Sequence, residues 1–169
     1  MALVLDGNGT MTVGNGDITG LVAGALPSTV IGAGAVLQVV SVVTSTQVSI
    51  ASPSYTSTGF SASITPTSST SKILIMGSVV IRNGTASNNY QHTIYRGATQ
   101  LAPNSARGFI QVRGEGATGD MTPAFQFLDS PATTSSTTYT WYHKSEGSVT
   151  CYFAIDNSYA QLTLLEIAA

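Results

Sequence analysis

The chain has 169 residues, 43% of them hydrophobic and only 8% charged, with a net charge of -2. That length suits one domain with a short extension and can bury a core without staples. The arginines Arg82, Arg96, Arg107 and Arg113 are scattered rather than gathered in a stripe, which excludes a surface that tracks nucleic-acid phosphates. A single cysteine, Cys151, excludes an internal disulfide and reads as a buried, inert thiol within a strand.

Residues 1–34 are rich in Gly and Asn. Gly7-Asn8-Gly9 and Gly14-Asn15-Gly16 recur in this stretch, and Asn-Gly pairs favour tight turns because both residues tolerate positive φ. Too few large apolar side chains are present for an independent core, so this stretch reads as an extended attachment arm ordered by docking on a neighbour. The uncharged run from Leu21 to Val43 is broken by Gly24, Pro27, Gly32 and Gly34 and has no basic flank, so no membrane span is expected. Met1 to Asp6 lacks the basic start and long apolar stretch of a secretion signal.

From residue 35 to 169 the pattern is strand after strand. Leu37–Val43 is β-branched, and Phe60–Ile64 alternates with period two. Lys72–Ile81 is nearly continuously apolar, which predicts a central strand covered on both faces. Further strands are predicted at Gln91–Arg96, Phe109–Val112, Ala124–Leu128, Thr138–His143, Val149–Ile155 and Gln161–Ile167, with Gly, Pro, Asn and Ser between them. No stretch carries a helical period with caps. The fold class is therefore all-β: an antiparallel, jelly-roll-like β-sandwich head behind a short extended N-terminal arm.

The candidate chemistry is thin. Gly114-Glu115-Gly116-Ala117-Thr118-Gly119 matches G-x-G-x-x-G, but Asp120-Met121-Thr122-Pro123 follows it instead of a helix, so it reads as a surface loop. Asp6-Gly7-Asn8-Gly9 and Gly14-Asn15-Gly16-Asp17 lack the oxygen ligands of a calcium loop. Asn8-Gly9-Thr10 and Asn83-Gly84-Thr85 fit turns as well as glycosylation acceptors. His92 and His143 lie in strands with no Cys, Asp or Glu at metal spacing in sequence; they could face one another across a sheet or across a threefold axis, and a cluster on such an axis could bind a metal, but ordinary packing or surface placement is the expectation. Nothing unites two of Glu115, Asp120, Asp129, Glu146, Asp156 and Glu166 at a cleft for sugar cleavage, and no G-x-S-x-G occurs, so no enzyme, cofactor or metal is expected. Tyr139, Trp141 and Tyr142 form the one dense aromatic patch. Alternation puts Tyr139 and Trp141 on one face, most simply the core, and Tyr142 on the other; exposed at a tip, the three would be candidate receptor contacts that stack on sugars.

Four segments together carry a resemblance. They are Gly34-Ala35-Val36-Leu37-Gln38-Val39-Val40; Phe60 through Thr65-Pro66-Thr67 to Ile75; Leu128-Asp129-Ser130-Pro131 with the Thr/Ser run before Tyr139; and the ending Leu162-Thr163-Leu164-Leu165-Glu166-Ile167-Ala168. Their order and spacing resemble a module of tail-fibre and other virion structural proteins of phages, cyanophages especially. The resemblance implies a jelly-roll-like head, a homotrimer, a location on the virion surface after synthesis in the bacterial cytoplasm, and no catalytic residue. It also implies attachment to other virion proteins through residues 1–34. Fibre proteins of this kind carry long shafts; a short arm with one head raises the alternative of a capsid decoration protein. A carbohydrate-binding or hydrolysing module, with a host surface glycan as partner, is the third expectation.

Overall fold

A computed structural model describes residues 4–5, 11–12, 32–83, 88–103, 106–113 and 119–169. The chain divides into two compact units, Met1–Gly32 and Ala33–Ala169. In the first, β1 (Val4–Leu5) pairs antiparallel with β2 (Met11–Thr12).

The second unit is an antiparallel β-sandwich. Its strands are β3 (Val36–Thr44), β4 (Val48–Ile50), β5 (Thr56–Ile64), β6 (Lys72–Val79), β7 (Ile81–Asn83), β8 (Asn89–Arg96), β9 (Thr99–Gln100), β10 (Ile110–Arg113), β11 (Asp120–Met121), β12 (Ala124–Asp129), β13 (Thr137–Ser145), β14 (Cys151–Phe153) and β15 (Ala160–Ile167). One sheet has the order β12-β6-β15-β3, the second β10-β8-β13-β5, and a short third β11-β7-β14-β4.

One rule generates this arrangement. β3 pairs with β15, β4 with β14, β5 with β13, β6 with β12, β7 with β11 and β8 with β10, always antiparallel. The unit is thus one long hairpin, its tip between Arg96 and Ile110, wound so that β6 meets β15 and β8 meets β13. That winding is a jelly roll. In this register Val40 faces Leu164, Ala62 faces Tyr139, Ile75 faces Phe127 and Gln91 faces Gln111, and the β3–β15 ladder slips by one residue at Leu37, between Glu166 and Ile167. One bulge interrupts β5, where Thr58-Gly59-Phe60 lies opposite the single Trp141, and Gly59 takes the positive φ of 77° that the bulge needs.

The core lies between the β12-β6-β15-β3 sheet and the β10-β8-β13-β5 sheet, on which β9 pairs with β8, and takes in Ile81, Cys151 and Phe153 of the third. Ile64, Ile73, Ile75, Leu162, Leu164 and Trp141 are among its fully buried side chains. Gly77 lets two rings close over the strand. A Cβ there would stand 2.5 Å from the Phe125 ring and 2.6 Å from the Trp141 ring.

The strands predicted from sequence are present, with two shortened. Val149–Ile155 contracts to Cys151–Phe153 because Ala154, Asp156 and Asn157 turn into left-handed backbone. Lys72–Ile81 breaks at Val80, and β6 and β7 pass into different sheets. The expectation that this strand is covered on both faces is corrected: Ile73, Ile75 and Val79 point into the core, but Met76 on the other side is exposed. β4, β9 and β11 escaped notice because two or three residues show no period. No helix among the described residues is long and apolar enough to cross a membrane.

Candidate functional site

Among the described residues, a cluster of chemically capable side chains lies inside the sandwich. Strand β8 supplies His92, β13 supplies Trp141 and His143, and β14 supplies Cys151. His92 and His143 are direct cross-strand partners, as one of the sequence alternatives had it. Their rings lie 4.5 Å apart and both are buried. Sequence spacing gave no sign of a third member, yet one ligand atom from each of His92, His143 and Cys151 lies within 4.8 Å of the others.

Hydrogen bonding decides what this cluster can do. The indole N–H of Trp141 donates to His92 Nδ1 at 3.2 Å, and an indole is only a donor. His92 therefore carries its proton on Nε2, which donates to His143 Nδ1 at 3.3 Å. His143 in turn carries its proton on Nε2, which is buried with no hydrogen-bond partner. A metal needs an imidazole lone pair, and every lone pair here already accepts a proton or is replaced by one. Ligation by His92 Nε2 would move its proton to Nδ1, against the indole N–H. The donor types suit a metal, but the indole sets a proton order that does not. What remains is a neutral, ordered pair. Burial, with His143 adding to it, holds the pKa of His92 well below the ordinary histidine value; burial alone lowers His143 to about 4. Burial pushes the Cys151 thiol up to about 12, which leaves it protonated and inert.

The aromatic patch is divided as alternation required. Tyr139 and Trp141 are fully buried, with Trp141 edge-on to Phe125 and Phe153. Neither ring offers a face to a sugar, and the candidate receptor contact at these two positions is withdrawn. Tyr142 is half-buried on the opposite face, its ring 4.1 Å from that of Tyr95, and Tyr55 closes on Tyr95 at 6.4 Å. The Lys144 ammonium sits 4.7 Å over the Tyr55 ring. Tyr55 and Tyr95 come from separate strands and loops, so no local pattern could have joined them to Tyr142.

The carboxylates are engaged singly, and mostly in holding loops. Asp129 is buried, accepts both of its Arg96 contacts at 2.7–2.8 Å, and accepts the Tyr139 hydroxyl at 2.8 Å. Burial first, then Asp129, drives the Tyr139 pKa upward. Glu166 accepts from Gln38 at 2.6 Å and from the backbone and hydroxyl of Thr67 at 2.7 Å. Burial alone would raise its pKa; these donors outweigh that and lower it. Glu146 is held by Asn89 and Gln91. Asp120 and Asp156 do meet, but Arg82 lies between them and both are exposed. The segments that carried the resemblance converge here: Gln38, Thr65-Pro66-Thr67, Asp129-Ser130 and Glu166 tie the strand ends at one end of the roll. Residues 34–35 run beside the last strand, Gly34 N–H donating to Ala168 O. Glu115 and residues 114–118 of the glycine-rich loop lie outside the described residues, as do Asp6 to Thr10, Gly14 to Asp17 and Gly84-Thr85.

No family model matches the chain, and no curated protein does. Among solved structures, the chain is similar to that of infectious bursal disease virus Gt strain, at 16% identity over 78% of this chain with a TM-score of 0.39. It is similar also to a mutant VP2 protein of infectious bursal disease virus from derived T=1 particles, at 16% identity over 78% of this chain with a TM-score of 0.38. The chain spans 38% and 36% of those two chains.

Proposed function

We propose that this chain is a non-enzymatic structural protein of a bacteriophage particle. The jelly-roll head is surface-exposed and homotrimeric, and residues 1–34 attach it to other virion proteins as a fibre or receptor-binding unit. The observation that carries this reading is where the reactive groups have gone. Among the described residues, the histidines, the cysteine and the buried carboxylates Asp129 and Glu166 are spent on each other or on neighbouring strands and loops. The head is left as a rigid, charge-poor body suited to a fixed assembly.

Quantitative mass spectrometry of purified particles from a phage encoding the chain tests this. Absence from particles refutes the reading. Tens of copies support a fibre; hundreds support the alternative of a capsid decoration protein. The carbohydrate-binding alternative now rests on Tyr142 with Tyr55 and Tyr95. A glycan array probed with wild type and Tyr142→Ala tests it, and an array without signal removes it.

A further inference from the structure

We propose that the outer face of the β12-β6-β15-β3 sheet is the surface on which a second copy of this chain docks. The inference rests on the self-association proposed above and locates it.

Register assembles the face. Val39 pairs with Leu165, Leu165 with Leu74, and Leu74 with Leu128, so one apolar row crosses all four strands. The next row on the same face is Ser41, Thr163, Met76 and Gln126, and the one after is Val43, Gln161, Ser78 and Ala124. Large apolar groups stand out of it: Val39 is 58% exposed, Val43 61%, Leu128 53% and Met76 43%. Isolated exposed leucines need no explanation, but a contiguous row across a sheet does.

Three observations point to a copy of the same chain as the occupant. The first is charge. Among the described residues, Lys72 at the margin is the only charged one on this face, and its ammonium is held by the Ser130 hydroxyl at 2.8 Å. A face without charge in its middle meets a copy of this chain with no like-charge conflict, and offers an acidic or basic partner nothing to recognise. The second is that Ser41, Thr163 and Gln161 on this face are already paired with one another. Ser41 Oγ bonds Thr163 Oγ1 at 2.9 Å, and Gln161 Nε2 donates to Ser41 Oγ at 3.3 Å. The β3 and β15 side of the face can lose water with these three side chains still paired, and the Gln126 amide on β12 is left to bond across the interface. The third is size. Four strands about 4.8 Å apart and eight residues about 3.4 Å each give a projected face of roughly 500 Å². Corrugation brings that toward the about 800 Å² per partner of a standard interface. A depression of about 230 Å³ beside Met76, Ala124, Phe125 and Gln161 offers a seat for a protruding aliphatic side chain of the facing copy. The sequence of β6 agrees. Ile73-Leu74-Ile75-Met76 has the continuous apolar character of a strand covered on both faces, and the single chain covers one.

Analytical ultracentrifugation of the full chain at micromolar concentrations tests the assignment. The probes are wild type, Leu128→Lys, Val39→Lys, and Ser61→Lys, an exposed position on β5 of the opposite sheet. The expected result is an associating wild type, an associating Ser61→Lys, and association weakened about tenfold or more in each of the other two. Circular dichroism and a thermal midpoint near wild type confirm that each variant is folded; Leu128→Gln replaces any lysine variant that is not. An oligomeric wild type with equally oligomeric Leu128 and Val39 variants overturns this face and leaves self-association standing. Association lost only on removal of residues 1–32 assigns assembly to the arm and likewise overturns the face. A wild type that stays monomeric overturns both the face and the homotrimer.

Discussion

Lowering the pH from 7.5 to 4.5 should weaken the head in a window that belongs to the histidine pair. His143 ionises at about 4 in the folded chain against 6.5 unfolded, because burial disfavours its charged form. Its folded pKa is depressed, so between those values the unfolded chain binds a proton that the native chain refuses. Stability is therefore full above about pH 6.5 and falls as pH drops, by about 1.4 kcal/mol per unit. His143 alone accounts for a loss of about 3 kcal/mol by pH 4, a large share of a typical 5–15 kcal/mol stability. His92 acts in the same direction. Trp141, the stacked Tyr90 ring and Cys151 pack against the pair; the indole has no proton to lose here, and burial keeps the Cys151 thiol protonated throughout this window. The carboxylates Glu146 and Glu166 have lowered pKa values, so their contribution is lost only below their unfolded value of 4.5. Urea titrations at half-unit steps, with His143→Leu alongside, give the slope. A midpoint that stays flat from pH 6.5 to 5, or rises, refutes the buried neutral pair.

Gly77→Ala places a methyl 2.5–2.6 Å from the Phe125 and Trp141 rings, and the fully buried Trp141 has no open space to retreat into. Overpacking should cost about 1–3 kcal/mol, offset by the smaller backbone entropy gain of alanine in a strand, and a wild-type urea midpoint would show that the layers yield there. Asp129→Asn turns an amide toward Arg96 and the buried Tyr139 hydroxyl, and should lower stability by about 2 kcal/mol, the low end for a buried pair because Arg96 reaches solvent. An unchanged denaturation midpoint would refute that tie. Cys151 should resist a thiol-disulfide reagent at pH 8 in the native protein and react fully in urea; rapid native labelling would contradict its burial and its raised pKa.

The sequence by itself determined the strands, their order and their inward faces. β-branched runs with period two, separated by turn residues, leave a backbone little choice but pleated segments, and Tyr139, Trp141 and Tyr142 fell on the faces alternation assigned. It also determined that charge would be scarce on whatever surface formed. Only the tertiary structure decided which strands became partners, because pairing in a wound hairpin joins residues as distant as Gln38 and Glu166, and no local period records that distance. The same long-range pairing brought Cys151 to the two histidines, joined Tyr55 and Tyr95 to Tyr142, and left one side of β6 bare. Local chemistry fixes which way a side chain points; what it meets there depends on how the hairpin is wound.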